Sequence, residues 1–281
     1  MNSKKILWGL LASMLLVLPA CGDDDDEPSG SGDAASQKLS TMTAYGQTLI
    51  SIQYDSQGRV TRLKALDDMM IKISYSPLTM TIIDEDEVTE WTDINTNSAG
   101  FITSAKLTEE DEFGIDTWRI SVTYDRNNHI TSTNDGEGST SKFEWDGAYL
   151  KSLHIYDEKE SYTQTFTYSN VENKARNVSM MWGDFPIYWL TGLFGEVPGY
   201  LPSGMYDSYE GDTVNLGYKL NSNGSIAKEQ VSVNGSIQMV IDYNYTLSRA
   251  GVFETGASSD TFNVFNKKSS RKYRLFHKRK S

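Results

Sequence analysis

Reactive side chains are scarce in this 281-residue chain, and most of them are carboxylates. The three imidazoles, His129, His154 and His277, fall in no His-Glu-x-x-His spacing, and no Gly-x-Ser-x-Gly elbow or glycine-rich phosphate loop accompanies them. Two acidic runs, Asp84-Glu-Asp-Glu87 and Glu109-Glu-Asp-Glu112, invite a calcium reading, yet neither has the Asp-x-Asp-x-Asp-Gly spacing that wraps oxygens around one ion. They read as solvated hairpin loops. A carboxylate pair for glycoside hydrolysis is defined by a separation in space, so a polysaccharide-acting hydrolase stays open as the alternative. No catalytic residue, metal ligand or cofactor is assigned. A different chemistry is offered by Trp182, Tyr188 and Trp189, whose rings can stack on a sugar or an apolar molecule. These three are the candidate ligand-binding residues.

The elements that must hold them begin with a leader. Lys4 and Lys5 precede an apolar run, Ile6 to Leu18, which as a helix reaches about 20 Å and falls short of the roughly 30 Å hydrocarbon core. It is a secretory signal, residues 1–20, rather than a span. Leu18-Pro-Ala-Cys21 resembles the lipobox of bacterial lipoproteins, in which the thiol is lipidated and becomes the new N-terminus. Cys21 is the only cysteine and has no disulfide to make. Several acyl chains on Cys21 would anchor the chain to a membrane where one would not. Residues 21–40 carry Asp23-Asp-Asp-Asp-Glu27 and then Gly and Ser, the composition of an extended tether. An acidic run directly after such a cysteine resembles the export signal of Bacteroidetes-type lipoproteins, which implies the outer membrane and an outward-facing protein.

Residues 41–247 are built from one unit. In Ile50-Ser-Ile-Gln-Tyr-Asp-Ser-Gln-Gly-Arg-Val60, the residues Ile50, Ile52 and Tyr54 alternate with polar ones, Asp55-Ser-Gln-Gly58 has type I turn chemistry, and Val60 opens a return strand. Copies align by the aromatic residue before the turn: Tyr54, Tyr75, Thr96 in the same slot, Tyr124, Trp145, Tyr168 and Tyr243. The successive spacings from Tyr54 to Tyr168 are 21, 21, 28, 21 and 23 residues, one hairpin each. A lone hairpin is marginal in water, so the array must share an apolar face. The fold class expected is mainly β, a curved antiparallel sheet or partial barrel of repeated hairpins with one short inserted apolar helix. Its strands are too short and too interrupted by charge for a membrane-spanning barrel.

The inserted segment lies at about residues 180–208. Asp184 suits an N-cap, Pro186 the first turn and Gly195 the helix end, and the segment is apolar nearly all round, so it should plug the concave face. Residues 248–281 lose the repeat. Lys267 to Ser281 holds eight Lys or Arg and no acid, in a chain of net charge −12. That overall acidity and the confinement of basic residues to one end argue against nucleic acid. Asp212-Thr-Val214 fits a short O-glycosylation acceptor pattern at Thr213.

Tyr54-Asp-Ser-Gln-Gly-Arg-Val60 resembles a YD repeat of the Rhs type. With the lipobox and the aromatic insertion, the layout over roughly residues 40–245 resembles the family of Bacteroidetes lipoproteins of unknown function that have a porin-like β fold. The resemblance implies a curved antiparallel β architecture and brings no catalytic residues. The function expected is that of a non-enzymatic envelope lipoprotein that binds a glycan, an apolar ligand or a partner protein.

Overall fold

The computed structural model describes residues 37–65, 69–84, 87–111, 114–157, 161–179 and 185–247. The signal, Cys21 and most of the tether, Trp182, Asp184 and the basic tail lie outside the described residues.

Among the described residues sixteen strands run in chain order: β1 (Gln37–Ala44), β2 (Gln47–Tyr54), β3 (Val60–Ala65), β4 (Met70–Tyr75), β5 (Leu78–Asp84), β6 (Glu87–Thr96), β7 (Ile102–Asp111) and β8 (Gly114–Tyr124). They continue as β9 (Ile130–Asn134), β10 (Thr140–Asp146), β11 (Tyr149–Tyr156), β12 (Ser161–Glu172), β13 (Tyr200–Asp207), β14 (Asp212–Leu220), β15 (Ile226–Val233) and β16 (Ser236–Leu247). Among the described residues one helix, α1 (Pro186–Leu190), sits between β12 and β13. Every strand pairs antiparallel with its neighbours in sequence, and β1 pairs with β16 from Gln37↔Leu247 to Thr43↔Asp242. The sheet is therefore a closed barrel. The expectation of an open curved sheet or partial barrel is corrected at that seam, where closure leaves no edge strand to protect.

The alternation points inward. On β8, Trp118, Ile120 and Val122 are buried while Thr117, Arg119, Ser121 and Thr123 are exposed. Such a wall turns its polar side outward, the reverse of a barrel whose outer band faces lipid. The same alternation corrects the acidic runs. Asp84 follows Met80 and Ile82 on the inward face of β5, and Glu109 follows Ala105 and Leu107 on that of β7, so both carboxylates are buried rather than solvated.

At one rim β2, β6, β8 and β14 hand over to the following strand through the repeated turn. Asp55 Oδ1 accepts the N–H of Gln57 and of Arg59, both at 2.9 Å, while the Gly58 N–H closes on the Asp55 carbonyl. Asn97 and Asp125 repeat this arrangement residue for residue. The turn requires a positive φ at its fourth place, which Gly58 (+74°), Gly100 (+87°), Asn128 (+64°) and Gly224 (+82°) supply.

The aromatic residue before each turn has a task. Tyr54 Oη donates to the Leu39 carbonyl, Tyr75 to Val60, Tyr124 to Ile102, Tyr168 to Leu150 and Tyr245 to Ile226, at 2.7 to 3.0 Å. Trp145 Nε1 does the same to Ile130 at 2.7 Å. Six of the eight even-numbered strands are thus latched to a carbonyl near the start of the odd-numbered strand before them, β6 with Thr96 and β14 having no such bond among those seen. On β16 the latch is Tyr245, not Tyr243, because Tyr243 points into the core. Burial pushes the Tyr54 hydroxyl up to about 12, so it remains a protonated donor throughout the physiological range.

Sixteen strands enclose more space than wall side chains fill, and barrels of that size commonly hold a channel. Here the insertion fills it. Phe185, Ile187, Tyr188, Trp189, Leu193 and Phe194 are all buried. Phe185 meets Phe143 of β10 edge-on at 5.2 Å, and Phe194 meets Trp91 of β6 at 5.9 Å. The inserted helix is shorter than expected. Its N-cap is Phe185, without a side-chain cap, and it ends at Leu190. The Thr191 hydroxyl folds back on the Tyr188 carbonyl, and Gly192 takes φ +75°, so the chain turns before Gly195. Tyr200–Asp207, placed by the sequence within the insertion, forms β13. Pro202 is accommodated beside a register shift in its pairing with β12, where a missing N–H is tolerated.

Candidate functional site

The insertion does more than fill volume, because it crosses the aromatic rim and is tied to it hairpin by hairpin. The Leu193 carbonyl accepts from the Ile102 N–H, the Glu196 N–H donates to Asn128, and the Gly199 N–H donates to Ala148, at 2.9 Å each. On the other side Asn177 donates to the Gly224 carbonyl at 3.1 Å and accepts from the Ile226 N–H at 2.9 Å. Gly195 shows how close the approach is, since a Cβ there would stand 2.6 Å from the Asn128 carbonyl oxygen.

Beneath this rim lies a buried carboxylate. Glu229 of β15 accepts from Ser179 Oγ and from Tyr243 Oη, both at 2.5 Å. Burial raises the Tyr243 hydroxyl well above its ordinary value and the neighbouring carboxylate raises it further. The Tyr218 hydroxyl is raised for the same two reasons. The arrangement secures the insertion to β14, β15 and β16.

Where β1 to β4 meet the rim, no backbone hydrogen bond of this kind joins it to the insertion among the described residues. A cavity of about 470 Å³ opens there, lined on the barrel side by Lys38, Tyr54, Arg59 and Tyr75 and on the insertion side by Arg176 and Trp189. Its floor includes Tyr243 and Tyr245. Trp189 is 4 % exposed and contributes one edge. Tyr188, 1 % exposed, is core and does not reach the cavity. The Arg59 guanidinium lies over the Tyr75 ring, 4.1 Å from its centre, and bonds Asp55 at 2.6 Å. Arg176 is paired with Glu196. Lys38 sits over the Tyr54 ring at 5.6 Å and has no acidic partner among the described residues.

No family model matches the chain and no curated protein matches it, so the lipoprotein and Rhs-type resemblance rests on the motifs alone. Solved structures do match. The fold is similar to that of a porin-like protein from Bacteroides uniformis ATCC 8492, with a TM-score of 0.52 and 20% identity over 73% of this chain and 90% of that one. A porin-like protein from Bacteroides vulgatus ATCC 8482 aligns with a TM-score of 0.38 and 16% identity, over 74% of this chain and 98% of that one. At 20% identity the likeness to the Bacteroides uniformis protein is one of fold, a porin-like antiparallel β architecture.

Of the described histidines, His129 lies in a rim turn and His154 on β11. His129 stacks on Trp145 at 4.2 Å and bonds Asp125 at 3.0 Å, finishing a turn. His154 Nε2 meets Ser152 Oγ at 3.0 Å, and Glu144 bonds the same serine at 2.9 Å. That is no nucleophilic relay. The carboxylate contacts the serine and the same ring nitrogen, while Nδ1, the position an orienting acid would need, is taken by Thr163 Oγ1. Thr213 is exposed on β14, its N–H toward Asn234 Oδ1 at 3.3 Å, open to modification from outside. Among the described residues no three His, Cys, Asp or Glu side chains gather as metal ligands.

Reading the sequence singled out Trp189 for the cavity and missed Lys38, Arg59 and Arg176. Tyr54 and Tyr75 were visible as repeat markers, but nothing local says that closure at β16 sets residue 38 beside residue 245.

Proposed function

We propose that this chain is a non-enzymatic envelope protein that binds a small ligand in the cleft between the β1–β4 rim and the insertion. In this reading it is held to the outer membrane by acyl chains on Cys21 and faces outward. The observation that carries the proposal is that, among the described residues, a cleft of about 470 Å³ lies between the insertion and the β1–β4 rim, a volume in the roughly 300–1,000 Å³ range of ligand pockets. The polar outer wall favours a barrel standing in water on a lipid tether over one embedded in a bilayer. The hydrolase alternative is disfavoured at this cleft, because no Asp or Glu is among its lining residues.

The test uses the purified full chain in detergent, titrated with saccharides and apolar probes while tryptophan emission is followed. Ala175→Trp, at an exposed position on the cleft mouth, serves as the blocked control. Saturable change in the parent chain and its loss in the blocked one are expected. Identical traces from the two would overturn the reading. The anchor is tested separately: Cys21→Ser should release the protein from membranes, and unchanged fractionation would reject lipidation.

A further inference from the structure

We infer that the ligand of this cleft is a monoanionic saccharide, a sugar carrying a carboxylate or a sulfate; this deepens the ligand-cleft reading above and rests on it. The charge pattern comes first. The chain carries a net charge of −12, yet the residues lining the cleft include Lys38, Arg59 and Arg176 and not one acid. A local inversion of sign in an acidic protein concentrates anions there and repels the cations that the rest of the surface attracts.

Pairing sets the ligand's charge. Arg59 is engaged by Asp55 and Arg176 by Glu196, so each guanidinium already has a carboxylate. Of the three, the Lys38 ammonium is the one left without a carboxylate among the described residues, half-buried at the mouth, held over Tyr54 and close to Gly58, where an added Cβ would come within 3.1 Å of Nζ. One available point charge matches one negative group. A phosphate dianion would bring a second negative charge, and the two guanidinium charges that could meet it each already face a carboxylate.

The remaining lining sets the ligand's body. The Tyr54, Tyr75 and Tyr245 hydroxyls spend their protons on the rim carbonyls of Leu39, Val60 and Ile226, so toward a ligand their oxygens can act only as acceptors. A sugar, rich in hydroxyl donors, suits them. Gln37, Asn177 and Thr191 line the same cleft, which makes it too polar for an acyl chain. Trp189 and the tyrosines supply the apolar surface that the C–H face of a sugar ring covers.

The experiment compares three disaccharides of one linkage on the full chain by calorimetric titration: a uronic-acid form, a sulfated form and a neutral form. Each is run on the parent, on Lys38→Gln and on Ala175→Trp. The expected result is binding of a charged form, weakened about ten- to a hundredfold by Lys38→Gln and by added salt, with the melting temperature unchanged because Lys38 is not part of the core. Which charged form binds separates the carboxylate source from the sulfate source. Equal binding of the neutral form, or indifference to Lys38→Gln, overturns the anionic class. If that binding is still lost in Ala175→Trp, the cleft reading stands without it. No cleft-dependent binding of any probe here or in the broader titration removes both.

Discussion

Tyr243 Oη donates to Glu229 Oε2 at 2.5 Å across two neighbouring strands, and both side chains are buried. A carboxylate in such a place is tolerable only while donors surround it. Tyr243→Phe removes one of them and should cost about 1.5–3 kcal/mol, the range for a hydrogen bond to a charged group. In a barrel of this size that lowers the melting temperature by roughly 3–12 °C. Tyr124→Phe, which deletes a latch to a neutral carbonyl, should cost about 1 kcal/mol. Calorimetry on the two variants gives the order, and equal losses would mean that the buried carboxylate is not what Tyr243 serves.

The repeated turns predict an acid-sensitive component of stability. The N–H groups of Arg59 and Gln57 and the Arg59 guanidinium hold the Asp55 carboxyl below its ordinary value of 3.8. At Asp125, burial works the other way, but the N–H groups of His129 and Asn127 and the His129 ring outweigh it and lower the value. A carboxyl depressed in the folded state stabilises the fold above the unfolded value, and that contribution is lost as pH falls through the folded one. Asn97 makes the same Oδ1 contacts with no charge at all. The Asp55→Asn, Asp125→Asn double variant should therefore unfold with a flatter dependence on pH below about 4. Melting curves between pH 2 and pH 7, with each buffer matched in salt, would reveal parallel profiles if the idea is wrong.

Two glycines of nearly equal φ should respond very differently to alanine. Gly46 (+75°) has nothing within 4 Å of an added Cβ, so Gly46→Ala meets only the backbone cost of about 1 kcal/mol. Gly195 (+74°) faces the Asn128 oxygen at 2.6 Å and Tyr124 Cε1 at 2.9 Å, so Gly195→Ala must also push the insertion off the rim. The expected loss is about 1–3 kcal/mol beyond that of Gly46→Ala. Chemical denaturation of the pair provides the comparison.

Trp189→Ala should destabilise the protein by about 3–5 kcal/mol, since Trp189 packs on Phe185 at 5.1 Å inside the barrel. Lys38→Gln should leave the melting temperature unchanged. A Trp189→Ala variant as stable as the parent would show that the insertion's packing does not support the core.

Much of the fold can be read from the letters because its causes are local. The 2.0 period of Ile50, Ile52 and Tyr54, the acceptor-first turn at Asp55 and the recurrence of both every twenty-odd residues each depend on neighbours in sequence. The repeat even located five of the six aromatic latches, Tyr54, Tyr75, Tyr124, Trp145 and Tyr168. It misplaced the sixth by two residues, because on a strand Tyr243 and Tyr245 share a face and only the depth of the core tells them apart. The buried state of Asp84 and Glu109 was hidden for a related reason. A run of acids looks solvated until inward and outward positions are assigned.

What the sequence by itself determined is a set of hairpins, each with its inward face and its turn and most with a hook for the strand before, together with an apolar segment that must be covered. Whether those hairpins stop as an open sheet or meet as a ring depends on the sum of small rotations over sixteen strands, and no single repeat encodes that sum. Only the tertiary structure decided it, by pairing Gln37 with Leu247. Closure then gave the insertion an interior to fill and, by setting Lys38 beside Tyr245 and across from Trp189, made the cleft.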